Sequence, residues 1–125
     1  VSAFRYGRFG IQDCAARFVA TVVSRPAANR AVLDTGAKSL AMDPSRAHPG
    51  HGYIVGHPDV TITKLSEEHG VCEVRDGEEG FAIGDRVEVI PNHVCPTVNL
   101  MDELLIARDG RIIDTWKVAA RGKVR

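Results

Sequence analysis

The stretch LLIARDGRIIDTWKV, Leu104–Val118, decides the fold class. Asp109-Gly110 separates two apolar runs. Glycine reaches positive φ at no steric cost and aspartate tolerates it, which is what a two-residue hairpin turn between antiparallel strands requires. Leu104 and Ile106 alternate before the turn, and Ile112, Trp116 and Val118 keep an alternating register after it. Both ends of the chain read as ordered strands, with the tail turning basic only at its tip.

Upstream, ARFVATVV (Ala16–Val23) is short and rich in β-branched residues, and SRPAANR (Ser24–Arg30) reads as its break. VTITKL (Val60–Leu65) alternates, with Val60, Ile62 and Lys64 assigned to one face and the threonines and Leu65 to the other. A further strand pair flanks RDGEEG, Arg75–Gly80. Leu100–Ile106 offers at most one helical turn, because no sustained i, i+3, i+4 stripe runs through it. Turns recur about every ten residues, the rhythm of a sandwich or barrel. The expected fold is therefore mainly β: a compact antiparallel β-barrel or sandwich-like unit, one domain over residues 1–125.

Composition narrows the function classes. The chain has 125 residues, 44% of them hydrophobic, enough for one proper core. Sixteen basic residues balance 16 acidic ones, which argues against a dedicated nucleic-acid binder. No apolar stretch approaches the roughly 18–20 residues of a membrane span. No secretory leader opens the chain, and its first residue, Val1, suits a portion of a longer protein. Cys14, Cys72 and Cys95 are few, odd in number and far apart, as expected of free thiols in the reducing cytoplasm.

The chemistry-bearing residues gather in a few stretches. PNHVCPTVN, Pro91–Asn99, holds His93 and Cys95. On an extended backbone, residues i and i+2 share a face, so imidazole nitrogen and thiolate sulfur would converge at the about 2.0–2.3 Å that zinc takes. Pro91 and Pro96 would stiffen such a pair. Two ligands leave coordination positions open, which suits a metal that also holds substrate or water. The other reading is a half-buried histidine and a small apolar cysteine at a strand end. His48, His51 and His57 lie in HPGHGYIVGH, either as ligands or as loop residues among Pro49, Gly50, Gly52 and Pro58. Gly50 and Gly52 would let backbone approach a ligand closely. Lys38, in LDTGAKSLAMD, is either a desolvated amine fit for a Schiff base or a surface lysine paired with Asp34 or Asp43. Glu67, Glu68 and His69 are either acid–base groups or a charged turn closed by Gly70. Cys72 reads as core, and Cys14 precedes a strand with no partner nearby. No GxGxxG, phosphate loop or nucleophile elbow is present.

Four blocks are distinctive together: TVVSRPAANRAVLDTGAKSLAMDP, GHPDVTITKLSEEHG, GDRVEVIPNHVCPTVNL and WKVAARG. In this order they resemble the C-terminal domain of the D-serine dehydratase and D-threonine aldolase family, fold-type III pyridoxal-phosphate enzymes related to alanine racemase. The resemblance covers Ala16 to Gly122.

It implies a C-terminal β domain that follows an N-terminal TIM-type barrel carrying pyridoxal phosphate. The barrel is absent from this chain, so the isolated chain is expected to be inactive. It implies a divalent metal, zinc first and manganese, cobalt or magnesium after it, on His93 and Cys95. Lys38 falls in a different block from the family's cofactor lysine and does not take that role. Implied partners are the barrel of the same protein, a second copy in a homodimer, and a small D-amino acid. Cysteine at position 95, where well-known D-threonine aldolases place aspartate, tilts the expectation toward elimination of water from β-hydroxy D-amino acids. Retro-aldol cleavage of the D-threonine aldolase type, a metal-independent racemase and a non-catalytic β binding module are the alternatives.

Overall fold

A computed structural model describes residues 10–45, 48–75 and 81–123. Eight strands and two short helices follow a 3-10 turn at Ile11–Asp13. They are β1 (Phe18–Ala27), β2 (Arg30–Leu33), α1 (Ala37–Leu40), β3 (Tyr53–Ile54), β4 (Val60–Leu65), β5 (Gly70–Val74), β6 (Arg86–Ile90), α2 (Val94–Asn99), β7 (Glu103–Arg108) and β8 (Arg111–Lys117).

Six strands form one antiparallel sheet in the order β3-β6-β1-β2-β5-β4. It curls until its two edges meet: the backbone N–H of His51, just ahead of β3, donates to Ile62 O of β4 at 3.0 Å. The result is a nearly closed antiparallel β-barrel, as the strand spacing predicts. Alternate residues point inward and fill it: Ala20 and Val22, Ala31 and Leu33, Val60 and Ile62, Cys72 and Val74, Val87 and Val89. Burying each aliphatic side chain of the valine or leucine class is worth about 1.5–3 kcal/mol, so this stack is the main source of stability. Leu40 of α1 and Phe81 plug the barrel from outside the sheet.

Gly50 shows why the edges can meet. It holds φ at +81°, and a Cβ there would lie 2.4 Å from Ile62 O. A Cβ on Gly52 would lie 3.0 Å from Val89 Cγ1 and 3.1 Å from Ile90 O. The glycines flanking His51 thus let the chain press against its own sheet.

Several local expectations change. Strand β1 continues through Pro26 to Ala27 and breaks only at Ala28–Asn29. Its pairing with β2 shifts register between Ser24 and Ala27, the irregularity at which a strand accepts a residue with no N–H. In β4 a register shift between Ile62 and Lys64 turns the chain over. Lys64 is therefore exposed, and Leu65 packs against the core. Strands β5 and β6 flank Arg75–Gly80 but pair with other strands, not with each other; residues 76–80 lie outside those described.

The hairpin forms as read, with Asp109 at φ 50° and Gly110 at φ 73°. It makes a separate two-stranded sheet, and its alternation buries little: Leu105, Ile112, Ile113 and Trp116 are all more than half exposed. The chain leaves extended structure after Lys117, and the described residues beyond it form turns, not a strand. Residues 1–9, read as the other ordered end, lie outside the described part.

Candidate metal centre

A run of buried residues, Val89 and Ile90 at the end of β6 and then Pro91 and Asn92, leads out of the barrel, and the chain emerges at His93. His93 is the N-cap of α2, extended at φ −139° and ψ 111°. Val94 onward is helical. This corrects the expectation of an extended backbone across His93 and Cys95: extension stops at the histidine, and Cys95 sits in the first helical turn. Pro96 permits the helix because the first turn has no intrahelical use for its missing N–H. Strand alternation therefore does not put the two side chains on one face. Both are nonetheless exposed at the same end of α2, and Cys95 forms no disulfide.

The junction is pinned from both sides. Asn92, 4% exposed, donates through Nδ2 to Asp43 O at 3.1 Å and to Gly50 O at 2.8 Å. Thr97, 2% exposed, places its hydroxyl 2.9 Å from His93 O and 3.3 Å from Leu40 O. These contacts tie α2 and the end of β6 to the segment that follows α1. They also bring the Asp43 carboxylate to His93, with Oδ2 3.3 Å from Nδ1.

Sequence reasoning missed the approach of Asp43 to His93 and considered Asp43 only as a partner for Lys38. The two residues lie on separate segments, and only the barrel brings them together. Among the described residues, no group of three or more His, Cys, Asp or Glu side chains could hold a metal. His93 and Cys95 supply a borderline nitrogen and a soft sulfur, a donor set that fits zinc in a site with open positions.

The other candidates have structural settings. His48 packs edge-on against Tyr53, and His57 against Phe81. The Nδ1 atoms of His48 and His51 are buried without a hydrogen-bond partner. Lys38 is exposed on α1 and bonds Glu68 at 2.5 Å, not Asp34 or Asp43. That hydrogen bond and the Glu68 charge raise its pKa, opposite to what a Schiff-base lysine needs. Glu67 and Glu68 belong to the β4–β5 turn, which receives the backbone N–H groups of Ala37 and Lys38. Cys72 is fully buried, and desolvation pushes its thiol up to about 12. An open groove of about 450 Å³, lined by Asn29, Arg30, Thr63, Lys64 and Glu73 among others, lies over β2, β5 and β4, away from His93.

The family described as "Putative serine dehydratase domain" matches residues 15–107. An uncharacterized protein of Mycobacterium tuberculosis is 44% identical over 121 residues, 94% of this chain and 91% of that protein. The D-threonine aldolase of an Arthrobacter species is 41% identical over 104 residues, 83% of this chain but 26% of the aldolase. The solved D-threo-3-hydroxyaspartate dehydratase of Delftia superposes with a TM-score of 0.78 at 26% identity, over 92% of this chain and 35% of that one. Two further structures of that dehydratase carry alanine in place of a cysteine, in the metal-free form, and in place of a histidine two positions earlier. The chain belongs to the serine dehydratase domain family, as its C-terminal domain, and named relatives of the family are D-amino acid lyases.

Proposed function

We propose that this chain is the metal-bearing C-terminal domain of a pyridoxal-phosphate-dependent lyase acting on β-hydroxy D-amino acids, with His93 and Cys95 as the protein's ligands to a divalent metal. The observation that carries this reading is the exposed histidine and cysteine at the tip of β6. They have the same spacing as the pair replaced in the dehydratase variants, one of which was solved in the metal-free form. Thiolate and imidazole together favour zinc over manganese, cobalt or magnesium.

When bound, the metal supplies Lewis-acid polarisation of the substrate's β-hydroxyl, and pyridoxal phosphate on a barrel outside this chain supplies the electron sink. The residues of this chain hold and aim the ligands. Asn92 and Thr97 fix the backbone on either side of His93, so imidazole and thiol are presented from a braced junction, not a loose loop. The longer enzyme, its homodimeric state and its place in the reducing cytoplasm are part of the proposal.

Two observations bear on the finer reading. Cys95 favours elimination of water, as in D-serine dehydratase. Greater identity to the D-threonine aldolase, 41% against 26% for the hydroxyaspartate dehydratase, favours retro-aldol cleavage. A second reading, a β module working without a barrel of its own, is favoured by the mycobacterial relative, of which this chain spans 91%.

The natural protein that contains this domain is to be incubated with D-serine, D-threonine and 3-hydroxy-D-aspartate, with and without a chelator. Chelator-sensitive pyruvate and ammonia from D-serine support the dehydratase. Chelator-sensitive glycine and acetaldehyde from D-threonine support the aldolase. No turnover of any of the three contradicts the enzyme reading.

A further inference from the structure

We propose that Asp43 is a positioning residue for His93: its carboxylate takes the Nδ1 side of the imidazole and leaves the Nε2 lone pair facing outward for the metal. The inference deepens the metal reading above and rests on it. It starts from the 3.3 Å approach of Asp43 Oδ2 to His93 Nδ1, a charge contact just beyond the range of an N–H···O bond.

The approach is built in from three directions. Asn92, next to His93, holds the backbone carbonyl of Asp43. The same amide also holds Gly50 O, so one side chain anchors the chain at Asp43 and again at Gly50. Thr97 joins the carbonyl of His93 to that of Leu40, which ends α1. The backbones on both sides are thereby fixed before any metal arrives.

A neutral imidazole carries its proton on one nitrogen and its lone pair on the other, and the group facing one nitrogen selects the tautomer. A carboxylate at Nδ1 selects the Nδ1–H form and makes Nε2 the donor. Carboxylate–histidine–metal arrays use this same selection, and loss of the outer carboxylate typically costs about 10–100-fold in metal affinity. The side chains of His93 and Asp43 are 51% and 45% exposed, so solvent screening places the effect at the lower end.

The test is made on the full chain with two readouts. The first is the tautomer of the His93 ring in metal-free protein at pH 8, from long-range nitrogen–proton NMR correlations. Wild type shows Nδ1–H; Asp43→Ala shifts the ring toward Nε2–H, and Asp43→Asn, whose amide oxygen still accepts, restores part of the Nδ1–H form. The second is zinc affinity by chelator competition, which falls about tenfold in Asp43→Ala. Asp43→Ala keeps its backbone carbonyl and with it the Asn92 bond; an unchanged amide spectrum elsewhere checks the fold. An unchanged tautomer, or zinc affinity within twofold of wild type, overturns the proposal. His93→Ala and Cys95→Ala separate the two ideas. Full zinc binding in both defeats the metal reading, while the tautomer, read without metal, still decides what Asp43 does to His93.

Discussion

Replacement of Asn92 by alanine tests whether the junction below His93 is braced as the contacts indicate. The side chain is buried, and its Nδ2 serves two carbonyls, those of Asp43 and Gly50. Each such bond contributes about 0.5–1.5 kcal/mol net, and leaving a buried carbonyl unpaired raises the loss toward about 1–3 kcal/mol. Asp43 and Gly50 are only half-buried, so water recovers part of that loss. The substitution also removes Oδ1, which is buried without a hydrogen-bond partner and is already a cost, so the net loss is about 2 kcal/mol rather than the full sum. For a chain of this size that is a fall of about 8 °C in Tm. Urea denaturation of wild type and Asn92→Ala would read it directly, as a shift of the midpoint by about 1 M at unchanged slope. A loss below about 0.5 kcal/mol would refute the brace and, with it, the idea that the His93 backbone is held in place before metal binds.

Other outcomes follow from particular residues. Gly50→Ala places a Cβ 2.4 Å from Ile62 O at φ +81° and should cost at least about 3 kcal/mol in urea melts, whereas Gly56→Ala, at φ +82° with open space around it, should cost only the left-handed penalty of about 1–2 kcal/mol. Cys72 ionises readily in the unfolded chain above its ordinary 9.0 but only near about 12 when folded. The unfolded state therefore binds fewer protons between those values, and stability should fall as pH rises through the window, by up to about 1.4 kcal/mol per pH unit. Cys72→Ala should flatten that slope, and an equally steep fall in the variant would exclude Cys72 as its source. Thiol labelling of the native protein at pH 8 should modify exposed Cys95 ahead of Cys72, and zinc should protect Cys95.

Features set by neighbours in sequence were the ones legible there. Asp109-Gly110 announces its turn because its backbone angles are a local requirement. Inward residues such as Val60 and Ile62 follow from alternation alone. Alternation failed beyond Ile62, where a bulge changes the face, and β-bulges leave no reliable mark in a single sequence. It also overstated burial in β7 and β8, where Leu104 and Ile106 are only half-buried and Leu105, Ile112, Ile113 and Trp116 are exposed. The helix α2 was hidden by its proline: Pro96 reads as a breaker unless its place in the first turn is known. At the candidate site, the types and spacing of His93 and Cys95 were legible, and the backbone that presents them was not. Asp43 could not be found from spacing, because closure of the barrel brings it to His93.

Metal stoichiometry tests the central claim most directly. Wild-type protein, His93→Ala and Cys95→Ala are each equilibrated with zinc, freed of unbound metal and assayed for zinc by mass spectrometry. The account predicts bound zinc in the wild type and its loss in both variants, with the fold of each intact by circular dichroism. Equal zinc in all three proteins would contradict it.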